Sequence, residues 1–181
     1  MRVIAGQARG MMLHAPSDDS IRPTSDRVRE ALFNILGPWL SDGRFLDAFS
    51  GTGANGIEAL SRGAREVVFV DSTRNALGLV RNNLVKTKLA TGAVLLEAVL
   101  PKDGDRIHGP FDIIFADPPY DYQDYAGLLE CFGRDGLLAE DGIIVIEHIK
   151  SLDLPETVGT LEQTRRKKYG KSCLSFYRLQ N

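Results

Sequence analysis

Apolar positions along this chain fall into two alternating rhythms. From Phe45 onward, short apolar runs bounded by glycine and polar residues are separated by longer stretches in which apolar residues recur every three or four positions. The short runs read as buried strands over 45–49, 66–70, 93–96, 111–116 and 142–147. The longer stretches read as helices. One covers 57–61 and is ended by Gly63. A second covers 73–88, with Ala76, Leu77, Val80, Leu84 and Val85 turned inward, and a third covers 123–132. Upstream, residues 1–21 look irregular or hairpin-like, punctuated by Gly6, Gly10 and Pro16. A helix over 27–36, capped by Thr24 or Ser25 and stopped at Gly37-Pro38, carries Val28, Ala31, Leu32, Ile35 and Leu36 on one stripe. The tail, 160–168 and 172–179, reads as a hairpin turning near Gly170. Alternating strands and helices predict a parallel sheet covered on both faces, and the tail adds an antiparallel edge. Ligands of such sheets lie beyond the carboxyl ends of the strands, where the strand order reverses.

Composition narrows the class. With 181 residues, 43% hydrophobic and 25% charged, the chain suits one globular domain. No apolar run approaches the roughly 20 residues needed to span a bilayer. Cys131 and Cys173 are too few, and too far apart, for a disulfide framework, which points to a reduced cytoplasm. A net charge of −2 excludes coating of nucleic acid by bulk charge. Two local basic clusters remain. Arg2, Arg9, Arg22, Arg27 and Arg29 lie near the start, nearly balanced by Asp18, Asp19, Asp26 and Glu30. Arg165, Arg166, Lys167, Lys168 and Lys171 form a denser group around Tyr169. Each is either a contact surface or a solvated face.

The first chemical constellation is Asp47-Ala48-Phe49-Ser50-Gly51-Thr52-Gly53-Ala54-Asn55-Gly56. Gly51, Gly53 and Gly56 spell GxGxxG between a strand and a helix, where the backbone must turn tightly and approach a ligand with no Cβ between them. Asp71 stands 20 residues after Gly51, at the end of the next strand, placed to accept from ribose hydroxyls. The unit suits a dinucleotide or S-adenosylmethionine. Asp47 discriminates, because it would repel a pyrophosphate and attract a cationic amino-acid end. Asp47 could equally hydrogen-bond the loop amides.

The second constellation is Asp117-Pro118-Pro119-Tyr120, directly after the strand over 111–116. Two prolines stiffen the turn and remove amide donors, leaving an edge of acceptors: the Asp117 carboxylate and carbonyls such as that of Pro118. An aromatic amine has its lone pair delocalised into the ring. Two acceptors holding its hydrogens can aim that lone pair at an electrophilic methyl group. Tyr120 offers a face on which the base can stack, once flipped from any helix.

These motifs, with Arg22-Pro23-Thr24-Ser25-Asp26-Arg27-Val28-Arg29-Glu30-Ala31-Leu32-Phe33-Asn34, LDAFSGTGANGIEALSRGA over 46–64, the opening RVIAG and RG of residues 2–10 and Tyr169-Gly170, resemble the bacterial 16S ribosomal RNA guanine-N2 methyltransferase family. The resemblance spans essentially the whole chain, and the 22–34 string is its most specific part. It implies an α/β, Rossmann-like class I methyltransferase fold. The sheet would have seven strands, mostly parallel, with an antiparallel C-terminal hairpin. A short N-terminal RNA-binding arm (1–21) would precede the catalytic core (22–181) in a single domain. It implies methyl transfer from S-adenosyl-L-methionine to N2 of a guanine in small-subunit ribosomal RNA. The low net charge, which offers little generic grip on nucleic acid, points to an assembled ribosomal particle as the substrate, and monomer is the default state. By similarity, Asp47, Ser50, Gly51, Gly53 and Gly56 line the cofactor and Asp71 holds its ribose. Arg22, Pro23 and Thr24 close over the cofactor or base, Asp117 to Tyr120 hold the guanine, and Arg2, Arg9 and Arg27 touch RNA. Glu97 is either an adenine neighbour or a plain surface residue.

Other residues add little. His14, His108 and His148 have no partners at metal-ligand spacing, so no metal is expected. Ser50 and Ser172 lack a nucleophile's companions. Trp39 reads as core and Glu147 as structural. The competing functions are an adenine-N6 methyltransferase on DNA or RNA, for which 181 residues leave no target-recognition domain, an NAD-dependent oxidoreductase, which leaves residues 117–120 unexplained, and a non-catalytic RNA-binding module.

Overall fold

The computed structural model describes residues 1–15 and 26–180. The anticipated caps Thr24 and Ser25, and the anticipated pocket residues Arg22, Pro23 and Thr24, lie outside the described residues. The elements follow in the order α1 (Asp26–Leu40), β1 (Arg44–Ala48), α2 (Ala54–Ser61), β2 (Glu66–Asp71), α3 (Arg74–Thr87), β3 (Ala93–Glu97), β4 (Phe111–Ala116), α4 (Tyr125–Phe132), β5 (Leu138–Ile149), β6 (Thr157–Val158), β7 (Leu161–Tyr169) and β8 (Ser172–Leu179). The sheet order is β3-β2-β1-β4-β5-β8-β7-β6. The first five strands in that order are parallel, and β8, β7 and β6 are antiparallel to their neighbours. The seven anticipated strands are present. The eighth, β6, is two residues paired to Glu162 and Leu161 of β7, too short to leave an apolar rhythm.

Period-two alternation sorts the strand residues into two cores. Phe45, Val67, Phe69, Ile113, Phe115, Val145, Leu174 and Phe176 face Leu32, Phe33 and Leu36 of α1, Ile57 of α2 and Val80 of α3. Leu46, Val68, Val70, Ile114, Ile144, Ile146 and Tyr177 face Leu128, Leu129 and Phe132 of α4. Burial on both faces explains why the parallel strands read as continuous apolar runs rather than alternating ones.

Three expectations are corrected. Helix α1 does not stop at Gly37-Pro38 but runs on to Leu40. Pro38 cannot donate a backbone hydrogen bond, yet the last turn is held by buried Leu40 and by Trp39, whose Nε1 donates to the Asp141 carbonyl at 2.7 Å. Val85 is 67% exposed, and the inward row of α3 instead includes the polar Asn83 and Thr87. Strand β5 begins at Leu138, four residues early, with a register shift against β4 between Phe111 and Ile113.

The N-terminal arm is a docked hairpin. Val3 N donates to Met11 O and Gly10 N to Val3 O, and Val3, Ala8 and Leu13 join the core. The buried Glu58 carboxylate of α2 accepts from the amides of Ile4 (2.8 Å) and Ala5 (3.0 Å) and from Arg62 Nε (2.7 Å). Ser61 Oγ donates to Ala5 O and accepts from Ala8 N. The approach is so close that a Cβ on Gly6 would lie 1.8 Å from the Ser61 carbonyl oxygen, in a backbone with φ of +81°. Arg29 also belongs to the fold rather than to a basic surface. It is fully buried, its Nη2 donates to Arg2 O and Asp26 Oδ1, and desolvation lowers its pKa.

Replacing Glu58 with Ala should strand two amides and the Arg62 guanidinium, costing about 3–5 kcal/mol of stability. Urea unfolding and loss of hydrogen-exchange protection at Ile4 and Ala5 measure this. Unchanged protection at both amides would show that the arm is held by its apolar residues alone.

Candidate active site

Strands β1 and β4 are parallel neighbours, with Ala48 in register with Ala116. The chain order reverses here, since β1 continues to β2 on one side and receives β4 on the other. The segments after Ala48 and Ala116 therefore leave the sheet about 4.8 Å apart, at the switch point. The glycine loop and the proline turn, 69 positions apart from Ala48 to Asp117, become adjacent by this pairing alone.

The turn at the end of β1 is tight. Phe49 has φ of +61°, rare for a residue with a side chain, and Gly51 and Gly53 follow at +52° and +76°. Gly53 caps α2 in the left-handed conformation without a side-chain hydrogen bond. Asp47, 1% exposed, accepts from Gly56 N through Oδ2 at 2.8 Å, so the loop-amide role weighed for it is realised by one oxygen. Complete burial pushes this carboxyl up to about 8. The Gly56 bond opposes the rise, and the neighbouring Asp71 adds to it. A Cβ on Gly56 would lie 2.2 Å from the Phe69 ring and 2.9 Å from Asp47 Oδ2, so the third glycine makes room for the carboxylate bond.

Asp71, half-buried at the end of β2, accepts from Gly51 N through Oδ2 at 3.0 Å and from Thr73 N and Oγ1 through Oδ1. It thus braces the loop with one oxygen and the start of α3 with the other. Glu97 pairs in register with Asp71 on β3, and its carboxylate is held by Arg74 Nε at 2.9 Å near the surface. Ser50 Oγ is buried with no hydrogen-bond partner among the described residues, an unmet polar group within the loop.

On the β4 side, Asp117 is half-buried, Pro118 buried and Pro119 exposed. Tyr122 N donates to Pro119 O at 2.9 Å, closing a turn that carries Tyr120 at its tip, 63% exposed. A core role for Tyr120 is thereby excluded, and its ring is exposed to solvent. Two aromatic residues that the pattern of the chain did not reveal join the motifs. The Tyr122 ring meets Phe49 edge-on at 5.4 Å and Tyr125 at 5.1 Å, bridging the glycine loop and the proline turn. Burial, with Asp124 nearby, pushes the Tyr122 hydroxyl up to about 12. The chain continues through Tyr125 to buried His148, whose Nε2 lies 2.8 Å from Ser175 Oγ, so this histidine is structural. Glu147 is also buried at the end of β5.

A further residue, Asn83, ties the arm to the loop. Fully buried, it accepts from His14 N through Oδ1 (2.7 Å) and donates through Nδ2 to His14 O (3.1 Å) and Thr52 O (2.9 Å). Met1 Sδ, 3.8 Å from Thr52 Oγ1, brings the start of the chain to the same loop. Arg2, Arg9 and Arg27 converge on one concave surface of about 350 Å³, shared with Asp26 and Glu30. A concavity of about 490 Å³ lined by Asp105, His108, Arg134 and Asp135 lies on the segments leading into β4 and β5, at the opposite edge of the sheet from both motifs.

Residues 1–178 match the family described as conserved hypothetical protein 95. The chain belongs to that family. It is 42% identical over 182 residues, 98% of each chain, to the Bacillus subtilis (strain 168) protein named "Putative rRNA methyltransferase YlbH". It is 34% identical over 184 residues to the "Ribosomal RNA small subunit methyltransferase D" of Escherichia coli (strain K12), covering 98% of this chain and 89% of that one. Its fold superposes on the solved "Putative methyltransferase yhhF from Escherichia coli" with a TM-score of 0.87 and 34% identity, over 99% and 98% of the two chains. The resemblance drawn from residues 22–34, 46–64 and 117–120 is borne out by these relatives, and so is the α/β methyltransferase fold.

Two outcomes follow for the protein alone. The folded state holds a proton on Asp47 that the unfolded chain releases near 3.8, so this group's contribution to stability falls as pH rises from 3.8 and levels off above about 8. Asp47→Asn keeps an acceptor for Gly56 N and should flatten that decline in urea unfolding followed against pH. Parallel pH profiles for both proteins would mean the carboxylate is already charged at neutral pH. Asn83→Leu should cost about 1–3 kcal/mol by leaving Thr52 O and the His14 backbone unpaired. Unchanged thermal unfolding would remove Asn83 from the loop's support.

Proposed function

We propose that this protein transfers a methyl group from S-adenosyl-L-methionine to the exocyclic N2 amine of a guanine in small-subunit (16S) ribosomal RNA. The observation that carries this reading is the placement of the Asp117-Pro118-Pro119-Tyr120 turn, with its exposed Tyr120 ring, directly beside the Asp47 glycine loop through the β1–β4 register. The names of both relatives support ribosomal RNA as substrate, and that of the Escherichia coli relative supports the small subunit.

The residues fit the cofactor. Asp47 stands where a cationic amino group would draw its buried carboxyl into the charged form. Ser50 Oγ is an unmet hydroxyl in the same loop, Gly51 and Gly53 keep Cβ atoms out of it, and Asp71, with Glu97 in register beyond, is the acid that would accept from the ribose hydroxyls. Arg22 and Thr24 complete the set by similarity. The bound cofactor supplies a methyl group on a cationic sulfur, already a strong electrophile.

The protein's part is positional. Asp117 and the Pro118 carbonyl hold the two hydrogens of the guanine amine, and Tyr120 stacks on the ring, so the nitrogen lone pair points at the methyl group. The stiff prolines keep this edge from relaxing, and correct placement of two reactants can lower a barrier by roughly 7–11 kcal/mol. No base of shifted pKa is needed before transfer, because the amine becomes acidic only once methylated. Its proton then passes to the Asp117 carboxylate or to water. Arg2, Arg9 and Arg27 hold the RNA, with the arm working as one unit with the catalytic core. A protein of net charge −2 has little generic grip on nucleic acid, so its substrate is a structured ribosomal particle in the cytoplasm, bound by a monomer.

The test is transfer of labelled methyl to small ribosomal subunits from cells deleted for this gene, followed by nucleoside analysis. N2-methylguanosine is expected, and Asp117→Ala should lower kcat by about 100-fold or more with RNA binding retained. N6-methyladenosine, or full activity of the Asp117→Ala protein, would overturn the assignment.

A further inference from the structure

The dense basic cluster near the end of the chain plays no part in the site described so far, but the sheet carries it to the same edge. Ile146 of β5 is in register with Ala116 of β4, and β5 continues to Ile149, which pairs with Ser172. The β7–β8 turn, between Tyr169 and Ser172, therefore projects three residues, about 10 Å, beyond the level at which the proline turn leaves β4. Laterally it is two to three strand spacings away, about 10–14 Å. Lys168 and Lys171 are exposed at this turn. Lys150, also exposed, is fastened to it by its backbone N–H, which donates to Lys171 O at 3.0 Å.

The tip is braced by hydrogen bonds, and its lysines are outside every ion pair found among the described residues. Arg166 spends its guanidinium on the fold: it pairs with Asp153, donates to the carbonyls of Leu152 (2.9 Å) and Lys150 (3.2 Å), and reaches Cys173 Sγ. Asp153, the acid near Lys168, is thus occupied. None of Lys150, Lys168 and Lys171 enters an ion pair among the described residues. Three cations on a braced ledge contrast with a chain whose net charge is −2. They lie across the proline turn from the Met1–Thr52 contact where the arm meets the glycine loop.

We infer that Lys150, Lys168 and Lys171 form a phosphate-binding ledge that grips the substrate RNA strand to one side of the target base. Contacts to phosphates fix register and orientation without reading sequence. A single base presented to the proline turn needs its backbone held on both sides. The Arg2, Arg9 and Arg27 surface holds one side and the hairpin tip the other. At roughly 3.4 Å of rise per phosphate, the offset from Asp117 to the tip corresponds to about four or five nucleotides of stacked strand. Lysine suits this role as a point charge that tolerates variation in phosphate geometry. The inference rests on the proposed RNA substrate and adds a second anchor to it.

The test compares wild type with the triple variants Lys150→Gln/Lys168→Gln/Lys171→Gln and Lys150→Glu/Lys168→Glu/Lys171→Glu. Binding to small ribosomal subunits and to protein-free 16S RNA transcript is measured by filter retention across salt concentrations, alongside methyl transfer. The glutamine variant should weaken binding to both probes by about tenfold, and the slope of log affinity against log salt should become shallower by roughly two to three. KM for the subunits should rise in step, while cofactor affinity and turnover at saturation stay as in wild type, and the glutamate variant should be weaker still. Unchanged affinity and salt slope would overturn the ledge. So would a defect seen with subunits but absent with protein-free RNA, which would assign these lysines to an acidic ribosomal protein. Binding needs no transfer. A wild type that binds RNA through this surface yet makes a different product therefore sinks the guanine-N2 reading and leaves the ledge standing.

Discussion

The parallel pairing of β1 with β4 is the constraint on which the site depends. The glycine loop and the proline turn are each a short irregular segment leaving a buried strand. Because Ala48 and Ala116 are register partners in the middle of the sheet, a one-residue slip would rotate every side chain of β4 to the opposite face. Ile113 and Phe115 would leave one core and Ile114 the other. Burial on both faces thus holds the spacing between the glycine loop and the proline turn. Phe49 and Tyr122 then lock the two turns to each other above the sheet.

A second layer of support is polar and buried. Glu58, Ser61, Arg29 and Asn83 are polar groups inside or beside an apolar core, and their bonds run to backbone groups of the first fourteen residues. Buried polar networks are costly when incomplete and specify one arrangement when satisfied. Here they hold the arm against α2 and α3 and set Arg2 and Arg9 beside the first turn of α1. Asn83 matters most to the site, because a single side chain touches both the arm at His14 and the loop at Thr52.

Charge is distributed with the same economy. The chain as a whole is acidic, and its basic residues gather in local patches, one of them around Arg2, Arg9 and Arg27. Beside the glycine loop the Asp47 carboxyl is fully buried, and desolvation favours its neutral form.

Much of this was legible from residue order alone. Strand 111–116 was read to the residue, and the glycine loop, Asp71 and the proline turn were found at strand ends, because buried parallel strands and tight turns each demand particular residue types locally. Arg2, Arg9 and Arg27 were singled out by the family resemblance. The structure alone placed them on one surface, since convergence depends on how the arm docks. Helix α1 passed its Gly37-Pro38 stop because Trp39 and Leu40 find tertiary partners that outweigh a lost backbone bond. Asn83, Glu58 and Tyr122 carried no pattern, for a polar residue's partners far along the chain leave no periodicity. Local chemistry is therefore written in the order of residues. Which turns, arms and charges stand together is decided by strand order and register, which sum the burial of the whole sheet and belong to no single segment.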